Sequence, residues 1–253
     1  RHKIISMITA IIFLAGMFSV IPLTAVAYGT YGSLTYNTYD SDGDGVYDYL
    51  TIASCAQPVT EVEIPAEIDG VPVTEIQQYA FGGCNNLKNV IIPDRVVKIG
   101  KYAFYDCRSL KEITIPESVA SIDNCAFKNC SVLETVLIKN PECEIYDSAD
   151  TIFNNLIFDE ETGEDFNSIN GIIYGYENST AQAYAEKYGY NFKLFVQGDI
   201  SKNDLIDLYD AIEVVKYIMK IRTFTETDKQ FADFTGNDAV DLYDAIEIAR
   251  TLI

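Results

Sequence analysis

Residues 79–93 read YAFGGCNNLKNVIIP, and the pattern returns at a fixed interval as YAFYDCRSLKEITIP (102–116) and again as CAFKNCSVLETVLIK (125–139). In each copy a leucine is followed by an apolar residue three positions on and by another two positions beyond. These residues are Leu87, Val90 and Ile92, then Leu110, Ile113 and Ile115, then Leu133, Val136 and Ile138. Because one such unit cannot bury its apolar edge alone, the copies are predicted to stack as coils of a solenoid.

A second apolar set repeats at the same spacing and is predicted to fill the side of each coil opposite the strand. Its members are Val96, Ile99, Ala103 and Phe104, which return as Val119, Ile122, Ala126 and Phe127. An L-x-x-L-x-L core with this period is typical of leucine-rich repeats. VEIP (62–65) adds an earlier half-unit, whereas residues 141–170 read as irregular. Residues 171–192 are predicted to form a closing cap, with a helix that starts at Ser179 or Thr180 and runs to about Lys187.

The repeat unit YAF-x-x-C-x-x-L-x-x-[VI]-x-IP resembles the BspA-like leucine-rich repeat of bacterial surface proteins. EIPAEIDGVPVTEIQQYAF (63–81) is similar to the first coil of that family, and IIYGYENSTAQAYAEKYGYNF (172–192) to its closing segment. The resemblance covers residues 31–195. It implies adhesion and protein binding, and it implies no catalytic residue.

The six cysteines fall into two groups. Three share one repeat position: Cys84, Cys107 and Cys130. Three side chains in one column cannot all pair with each other, so these are predicted to be buried, reduced thiols that pack as small apolar groups. The other three are less regular: Cys55, Cys125 and Cys143. For an exported protein, a disulfide among these three stays open.

The start of the chain, residues 1–27, reads as an export signal. A basic start, Arg1 to Lys3, precedes an apolar run over residues 4–20, and Ala25-Val26-Ala27 fits a cleavage site. An uncleaved membrane anchor is the alternative, but the apolar run is slightly shorter than the ~20 residues of a spanning helix. Cleavage would leave residues 28–253. Since two basic residues and no acid are lost, the formal net charge falls from −20 to −22.

Charge and composition exclude several classes of function. With 18 Lys+Arg against 38 Asp+Glu, the chain lacks the clustered basic side chains that hold nucleic acid. Its one histidine, His2, lies in the predicted signal. The mature chain is therefore predicted to run no Ser-His-Asp or Cys-His mechanism and to build no histidine-ligated zinc or iron site.

A second duplication relates DLIDLYDAIEVVKYIM (204–219) to DAVDLYDAIEIARTLI (238–253). Each copy places oxygen donors at positions 1, 3, 5, 7, 9 and 12 of a short loop. The first set is Asp199, Ser201, Asn203, Leu205, Asp207 and Asp210, and the second is Asp233, Thr235, Asn237, Ala239, Asp241 and Asp244. Calcium takes about seven hard oxygens from such a loop, and Leu205 and Ala239 would supply only main-chain carbonyls. Two calcium ions are predicted.

Both loops depart from the usual pattern, because Asp204 and Asp238 stand at position 6, where glycine is common. A pair of acidic helix caps is the alternative, with Asp207 capping the helix that follows. One helix is predicted after each loop and none before the first. Thr225 with Asp228 predicts a short capped helix through Phe231.

Residues 197–253 resemble a type I dockerin over the whole segment. The resemblance implies calcium in both loops and docking onto a cohesin module of a cellulosome-type scaffold. The cohesin-contacting positions fall on Leu208, Tyr209, Val215, Lys216, Leu242, Tyr243, Ala249 and Arg250. Leu-Tyr replaces the family's common Ser-Thr pair, which leaves the cohesin subtype open. Helix packing is the alternative role for the two leucines.

A third acidic loop, YDSDGDGVYDYLTI (39–52), lies between two strand-like segments. It offers calcium-loop donors at Asp40, Asp42, Asp44, Val46 and Asp48. Position 12 is Thr51, so the bidentate acid is absent. The same stretch also fits an acidic hairpin turn.

The sequence thus predicts an α+β chain with three parts: a signal peptide (1–27), a leucine-rich-repeat solenoid with an N-terminal hairpin and a C-terminal cap (28–196), and a small all-α dockerin (197–253). The predicted function is a secreted, non-catalytic adhesion or binding protein, attached through cohesin to a scaffold that serves polysaccharide catabolism. Its repeat surface would take a protein or a carbohydrate, along a strand ladder of Glu63, Ile91, Thr114 and Leu137. The alternatives are a polysaccharide-degrading subunit, since glycosidases need only two carboxylates, or a peptide- or protease-binding module of the same assembly.

Overall fold

The computed structural model describes residues 27–153, 156–158, 165–167, 171–203 and 205–253, with the backbone alone for Ala27, 156–158 and 165–167. The predicted signal, up to residue 26, and Asp204 lie outside the described residues. In chain order the strands are β1 (Ala27–Tyr31), β2 (Leu34–Tyr39), β3 (Tyr49–Cys55), β4 (Glu61–Glu63), β5 (Glu67–Ile68), β6 (Val71–Ile76), β7 (Asn89–Ile91), β8 (Lys98–Ile99), β9 (Glu112–Ile115), β10 (Ser121–Ile122), β11 (Thr135–Ile138), β12 (Glu144–Ile145), β13 (Leu156–Phe158), β14 (Asp165–Asn167), β15 (Ile172–Gly175) and β16 (Asn191–Leu194). The helices are α1 (Thr180–Tyr188), α2 (Leu208–Ile218), α3 (Glu226–Ala232) and α4 (Leu242–Arg250).

Parallel ladders run along two sides of the solenoid. On one side β6, β8, β10 and β12 pair in that order, and on the other β9, β11, β15 and β16 do so, while β4 pairs with β7. The repeat period sets the register, since Ile122 pairs with Ile99 and Val136 pairs with Ile113, which are equivalent positions of successive copies. β1, β2 and β3 form an antiparallel meander that joins β6, and β13 and β14 form a separate antiparallel pair. The predicted solenoid is confirmed.

The core of the solenoid consists of columns of repeated side chains. The leucines of the three copies, Leu87, Leu110 and Leu133, are fully buried, and so are the phenylalanines Phe81, Phe104 and Phe127. Fully burying a side chain of this size contributes about 1.5–3 kcal/mol. Each coil therefore adds to the stability of its neighbours, as the sequence periodicity predicts.

A second repeat feature lies in the backbone. Tyr79, Tyr102 and Cys125 occupy one repeat position, and all three have left-handed φ angles, of 59°, 56° and 56°. Cys125 therefore belongs to the repeat at a position other than that of the cysteine column, so its place is regular after all. An uncommon φ at matching positions shows that the turn geometry, not the side chain, is what recurs there.

All six cysteines are free thiols in the structure. The column of Cys84, Cys107 and Cys130 is buried as predicted, and Cys130 Sγ lies 3.0 Å from the Phe104 carbonyl oxygen. Cys55 is half-buried, and its thiol donates to Ser33 Oγ at 3.8 Å and to the Ala56 carbonyl at 3.7 Å. It interacts electrostatically with the Cys84 thiol, so it stands at the end of the column rather than beside Cys125 or Cys143.

The closing cap forms where the sequence predicts it. Ser179 is the N-cap of α1, with its hydroxyl accepting from Gln182 N at 3.2 Å, and Gly189 ends the helix at φ 70°. The helix extends one residue beyond the predicted Lys187. The short helix α3 also forms, with a reciprocal capping box between Thr225 and Asp228.

Helices α2 and α4 pack on each other, and α3 lies against β9 of the repeat sheet. The buried side chains of this region form one cluster that includes Leu137, Tyr174, Phe195, Val214 and Phe231. The predicted small helical module is thus present, and part of its core is supplied by the repeat strands.

Candidate functional site

The two acidic loops have the same hydrogen-bond pattern. Asp210 is fully buried, and its carboxylate accepts from Ser201 N at 2.9 Å and from Asp207 N at 2.8 Å. In the second loop Asp244 accepts from Thr235 N at 2.9 Å and from Asp241 N at 2.7 Å. The carboxylate at position 12 thus ties positions 3 and 9 together in both copies, as the duplication implies.

The aspartate at position 1 of each loop accepts a hydrogen bond from the backbone N–H at position 5. Asp199 Oδ1 accepts from Asn203 N at 3.1 Å, and Asp233 Oδ1 accepts from Asn237 N at 3.0 Å. Asn203 Oδ1 in turn accepts from the main-chain N–H of Leu205 at 2.9 Å. These contacts order the backbone of the first half of each loop. Among the described residues, the three carboxylates of either loop do not all lie within 4.8 Å of one another, unlike those of the third acidic loop.

The residue at position 9 also caps the helix that follows. Asp207 accepts from Tyr209 N and Asp241 accepts from Tyr243 N, both at 2.7 Å, and each belongs to a capping box with the aspartate at position 12. The helix-cap alternative therefore describes a real contact. It is compatible with metal binding, because a carboxylate has a second oxygen and several lone pairs.

The donor chemistry of both loops suits a hard divalent cation. Each loop combines three carboxylates, one hydroxyl, one amide oxygen and one main-chain carbonyl, which is an oxygen set of the kind calcium prefers. Among the described residues, no lysine or arginine forms an ion pair with Asp210 or Asp244, although both are fully buried. A buried carboxylate is costly without a cation nearby, so these residues fit a bound calcium ion.

The aspartate at position 6 of the second loop adopts the left-handed backbone conformation for which glycine is normally used. Asp238 has a φ of 62°, in the left-handed region. Aspartate tolerates this region better than most residues do, because its short polar side chain can hydrogen-bond locally. The departure from glycine is thus accommodated in the second loop.

The third acidic loop joins β2 to β3 as an antiparallel hairpin, which confirms the hairpin alternative for its backbone. It brings together Asp40, Asp42 and Asp48, whose carboxylate oxygens lie within 4.8 Å of one another. Asp44 lies outside this group and accepts from Val46 N at 2.7 Å. Asp40 is buried and already accepts from Gly43 N and Gly45 N, and hydrogen bonds from Ser41 lower the pKa of Asp48.

The predicted cohesin-contacting residues lie on one side of α2 and α4. Equivalent side chains are equally exposed: Leu208 59% and Leu242 57%, and Tyr209 69% and Tyr243 68%. The leucines are therefore surface residues, and helix packing does not account for them. Val215 and Ala249 line the apolar groove between the helices, while Lys216 and Arg250 pair with Glu213 and Glu247.

The groove contains two exposed isoleucines that were not among the predicted cohesin contacts. Ile212 and Ile246 are 40% and 37% exposed, and they stand side by side with the predicted leucines along the groove. Helical spacing alone assigned them to the packed face. Their place in the identical heptapeptide DLYDAIE was the signal that could have revealed a surface role.

The strand ladder of the repeat domain is only partly exposed to solvent. Glu63 and Ile91 are exposed, but Leu137 is fully buried beneath α3, where it packs in one cluster with Phe231. The expectation of an exposed ladder is therefore wrong at Leu137. The reason is that the helical module covers this end of the sheet.

A cleft of about 450 Å³ remains between the free part of the ladder and α3, and its lining includes Glu63, Ile91, Thr114 and Thr227. The hydroxyls of Thr114 and Thr227 are buried and form no hydrogen bond within the described part of the chain. Buried hydroxyls normally have partners, so these two are exceptions at the base of the cleft.

The described residues include no helix with the length and hydropathy needed to cross a membrane.

Comparisons with known proteins agree with this architecture of stacked coils and two loop–helix units. Residues 53–170 match the BspA type leucine-rich repeat region in six copies, more than the three full copies recognised above, and residues 197–253 match the dockerin type I domain. The chain therefore contains a BspA type leucine-rich repeat region followed by a C-terminal dockerin type I domain. Type I dockerins bind calcium and mediate assembly through cohesin, and both modules are non-catalytic binding modules.

Several solved structures are similar to parts of the chain. A leucine-rich repeat protein from Bacteroides capillosus ATCC 29799 is 25% identical over 49% of this chain and 91% of its own, with a TM-score of 0.44. A leucine rich cell surface protein from Faecalibacterium prausnitzii A2-165 is 31% identical over 47% of this chain and 35% of its own, with a TM-score of 0.36. The T. pallidum leucine-rich repeat protein is 23% identical over 50% of this chain and 63% of its own, with a TM-score of 0.35. No curated protein matches the chain.

Proposed function

We propose that the chain is a secreted, non-catalytic binding protein of a cellulosome-type assembly. Its dockerin, residues 197–253, attaches it to a cohesin module of a scaffold, and its repeat domain, residues 28–196, presents the ligand-binding surface. The observation that carries the proposal is the exposed groove between α2 and α4, where equivalent leucines and isoleucines of the two copies lie uncovered. The exposed Tyr209 and Tyr243 follow these leucines directly in the sequence. Exposed apolar side chains gathered in one patch are typical of a protein-binding site.

The proposed cohesin contacts are Leu208, Tyr209, Ile212, Val215 and Lys216 on α2, with Leu242, Tyr243, Ile246, Ala249 and Arg250 on α4. Tyrosines suit such an interface because an apolar ring and a polar hydroxyl serve its core and its rim. Calorimetry of the full chain with cohesin modules from the same source tests the proposal. Saturable binding in calcium supports it, and lack of binding to every such cohesin contradicts it.

Calcium is proposed to occupy both dockerin loops, one ion in each, through the position 1, 3, 5, 7, 9 and 12 donors described above. A third, weaker ion is proposed at Asp40, Asp42 and Asp48. The repeat domain would then need no metal of its own beyond this hairpin. Ion counting by calorimetry distinguishes two ions from three.

The ligand of the repeat domain is proposed to contact the free part of the strand ladder, at Glu63 and Ile91, and the cleft beside Thr114 and Thr227. Protein and carbohydrate are both compatible with this mixture of apolar and polar side chains, in which Glu63 and Ile91 are exposed. A screen of the full chain against plant polysaccharides, with both binding and sugar release measured, separates a binding protein from a polysaccharide-degrading subunit. Sugar release would contradict the non-catalytic assignment.

Secretion is proposed on the signal-like residues 1–27. Cleavage after Ala27 would leave Tyr28 as the first residue, which is the second residue of β1. N-terminal sequencing of the exported protein tests this, and retention of Arg1 in a membrane fraction would contradict it.

A further inference from the structure

The dockerin has a second contact face, which packs on the repeat sheet of its own chain. Phe231 of α3 lies between Tyr174 of β15 and Phe195, with ring centroids 5.3 Å and 4.8 Å away and the rings close to perpendicular. Phe231 is fully buried, and Leu137 of β11 belongs to the same cluster. Edge-to-face aromatic pairs of this kind stabilise a contact beyond their area burial.

Polar contacts surround this apolar centre. Lys139 Nζ donates to Gln230 Oε1 at 3.1 Å, and Thr227 N donates to Glu112 Oε1 at 3.3 Å. The segment that joins the two parts is short and ordered, because β16 ends at Leu194, Phe195 is buried and Gly198 N donates to the Phe231 carbonyl at 2.7 Å. An apolar core with a polar rim is the usual anatomy of a specific interface.

The first calcium loop takes part in this contact through Lys202, at loop position 4. Its ammonium donates to Asp228 Oδ1 of α3 at 2.8 Å. It also lies 5.2 Å from the centroid of the Phe231 ring and 5.8 Å from that of Tyr174. One side chain of the loop therefore touches both α3 and a strand of the repeat domain.

The duplicated loop has no such side chain. Its position 4 is Gly236, where an added Cβ would meet nothing within 4 Å. The backbone is alike in both loops, with φ angles of 58° at Lys202 and 69° at Gly236. The left-handed region favours glycine, so a lysine at this position has a less favourable backbone conformation than glycine has. In the first loop the contacts of the Lys202 side chain offset this cost.

The predicted calcium ligands hold the backbone on both sides of Lys202. Asp210 Oδ1 accepts from Ser201 N, and Asp199 Oδ1 accepts from Asn203 N. Because the same carboxylates are the proposed ligands at positions 1 and 12, ordering of the loop by a cation also orders Lys202. A side chain held in place loses less conformational entropy when it makes its contacts.

From this geometry we propose that the first calcium loop fastens the dockerin to the repeat sheet through Lys202, so that cation binding there strengthens the contact between the two domains. The second loop, which carries Gly236, has no part in it. The inference rests on the proposed calcium binding. It gives the dockerin two partners on separate surfaces: cohesin at the α2–α4 groove, and the repeat sheet at α3 and the first loop.

The charge of Asp228 supports this arrangement. Burial opposes ionisation of its carboxyl group, but the hydrogen bond and the positive charge of Lys202, with further hydrogen bonds from Thr225, outweigh it and lower its pKa. The carboxylate therefore stays ionised at neutral pH and remains available to the ammonium.

Hydrogen exchange of the full chain, followed by mass spectrometry in calcium and in chelator, tests the proposal. Lys202→Gly gives the first loop the residue of the second and keeps every proposed ligand. We expect both the α3 amides (Glu226–Ala232) and the β15 amides (Ile172–Gly175) to exchange roughly tenfold faster in this variant in calcium, because Lys202 contacts Phe231 on one side of the interface and Tyr174 on the other. The α4 amides (Leu242–Arg250) should be unchanged, which shows that the dockerin stays folded.

Gly236→Lys is the matched control, and it should leave the exchange of α3 unchanged. In wild type, chelator should speed exchange more at α3 than at α4, and in Lys202→Gly this excess at α3 should be lost. Calorimetry on the same samples reports calcium binding independently. Normal calcium binding together with equal α3 exchange in wild type and Lys202→Gly overturns the coupling alone. Absence of calcium binding overturns the calcium assignment and the coupling with it.

Discussion

The rings of Phe81 and Phe104, which occupy the same position in successive copies of the repeat, stack with centroids 4.9 Å apart and planes 7° from parallel. Phe104 stacks in turn on Phe127, at 5.2 Å and 3°. All three rings are fully buried. The central ring thus touches an equivalent ring on each side, and the packing of one coil depends on both of its neighbours.

Replacement of the central ring should therefore destabilise the whole solenoid. We expect Phe104→Ala to lower the free energy of unfolding by about 3–5 kcal/mol, because the cavity lies between two coils and cannot collapse. Urea unfolding followed by circular dichroism measures this. Phe104→Leu, which keeps most of the buried volume, is the control and should cost clearly less. An unchanged urea midpoint for Phe104→Ala would contradict the stacked-core model.

The periodicity of the sequence predicted this column because each coil repeats its residues at a constant interval, so a buried position in one copy is buried in the next. The same logic identified both loops, and capping signals identified the caps at Ser179 and Thr225. It did not predict that α3 covers Leu137, because that contact joins segments that are far apart in sequence and share no repeat. Nor did helical spacing show that Ile212 is exposed, since the mutual packing of α2 and α4 decides which residues stay outside.

The cysteine at the end of the column and those in its interior are expected to differ in reactivity. A hydrogen bond from the Cys84 thiol lowers the pKa of Cys55 to about 7, despite the opposing effect of burial. Burial raises the pKa of Cys143 to about 12. Because the thiolate is the reactive form, alkylation of folded protein should concentrate on Cys55 and rise with pH up to about pH 7–8.

Peptide mapping after brief iodoacetamide treatment at a series of pH values measures this reactivity. Cys84→Ala removes the hydrogen bond and should move the rise of Cys55 alkylation to higher pH, toward the ordinary value of about 8.5. Cys143→Ala, distant from the pair, is the control and should leave the profile of Cys55 unchanged. Equal alkylation of Cys55, Cys107 and Cys130 in folded protein would contradict the buried column.

Calcium should stabilise the helical module through both loops. Asp210 and Asp244 are fully buried at loop position 12, so Asp→Asn at either site keeps the shape but removes a charged ligand. We expect each variant to weaken one calcium site by at least tenfold and to reduce the calcium-dependent rise in melting temperature, because binding to the folded state alone is what stabilises it. Calorimetry and thermal melting in calcium and in chelator measure both effects.

Asp42→Asn, in the hairpin between β2 and β3, is the matched control for these variants. It should leave the two dockerin sites unchanged and remove only the third, weaker binding event. Identical melting of the wild type in calcium and in chelator would contradict the calcium assignment for the dockerin loops.

The near-identity of α2 and α4 predicts two interchangeable ways to bind cohesin. Tyr209 and Tyr243 are equally exposed, and the residues around them are identical over seven positions. A half turn of the module brings either helix to the same partner surface. Tyr209→Ala alone should therefore cost less than about 0.5 kcal/mol of binding free energy, because the other orientation remains, whereas the double variant with Tyr243→Ala should cost more than about 2 kcal/mol.

Calorimetry with one cohesin, in calcium, gives the affinities of wild type, both single variants and the double variant. A cost of the double variant well above the sum of the single costs is the signature of interchangeable faces, since independent contacts would add. The copies differ downstream, where Val215-Lys216 on α2 corresponds to Ala249-Arg250 on α4, so one orientation is expected to be moderately favoured. If Tyr209→Ala abolished binding while Tyr243→Ala had no effect, the two-orientation prediction would be wrong, and α2 alone would form the docking face.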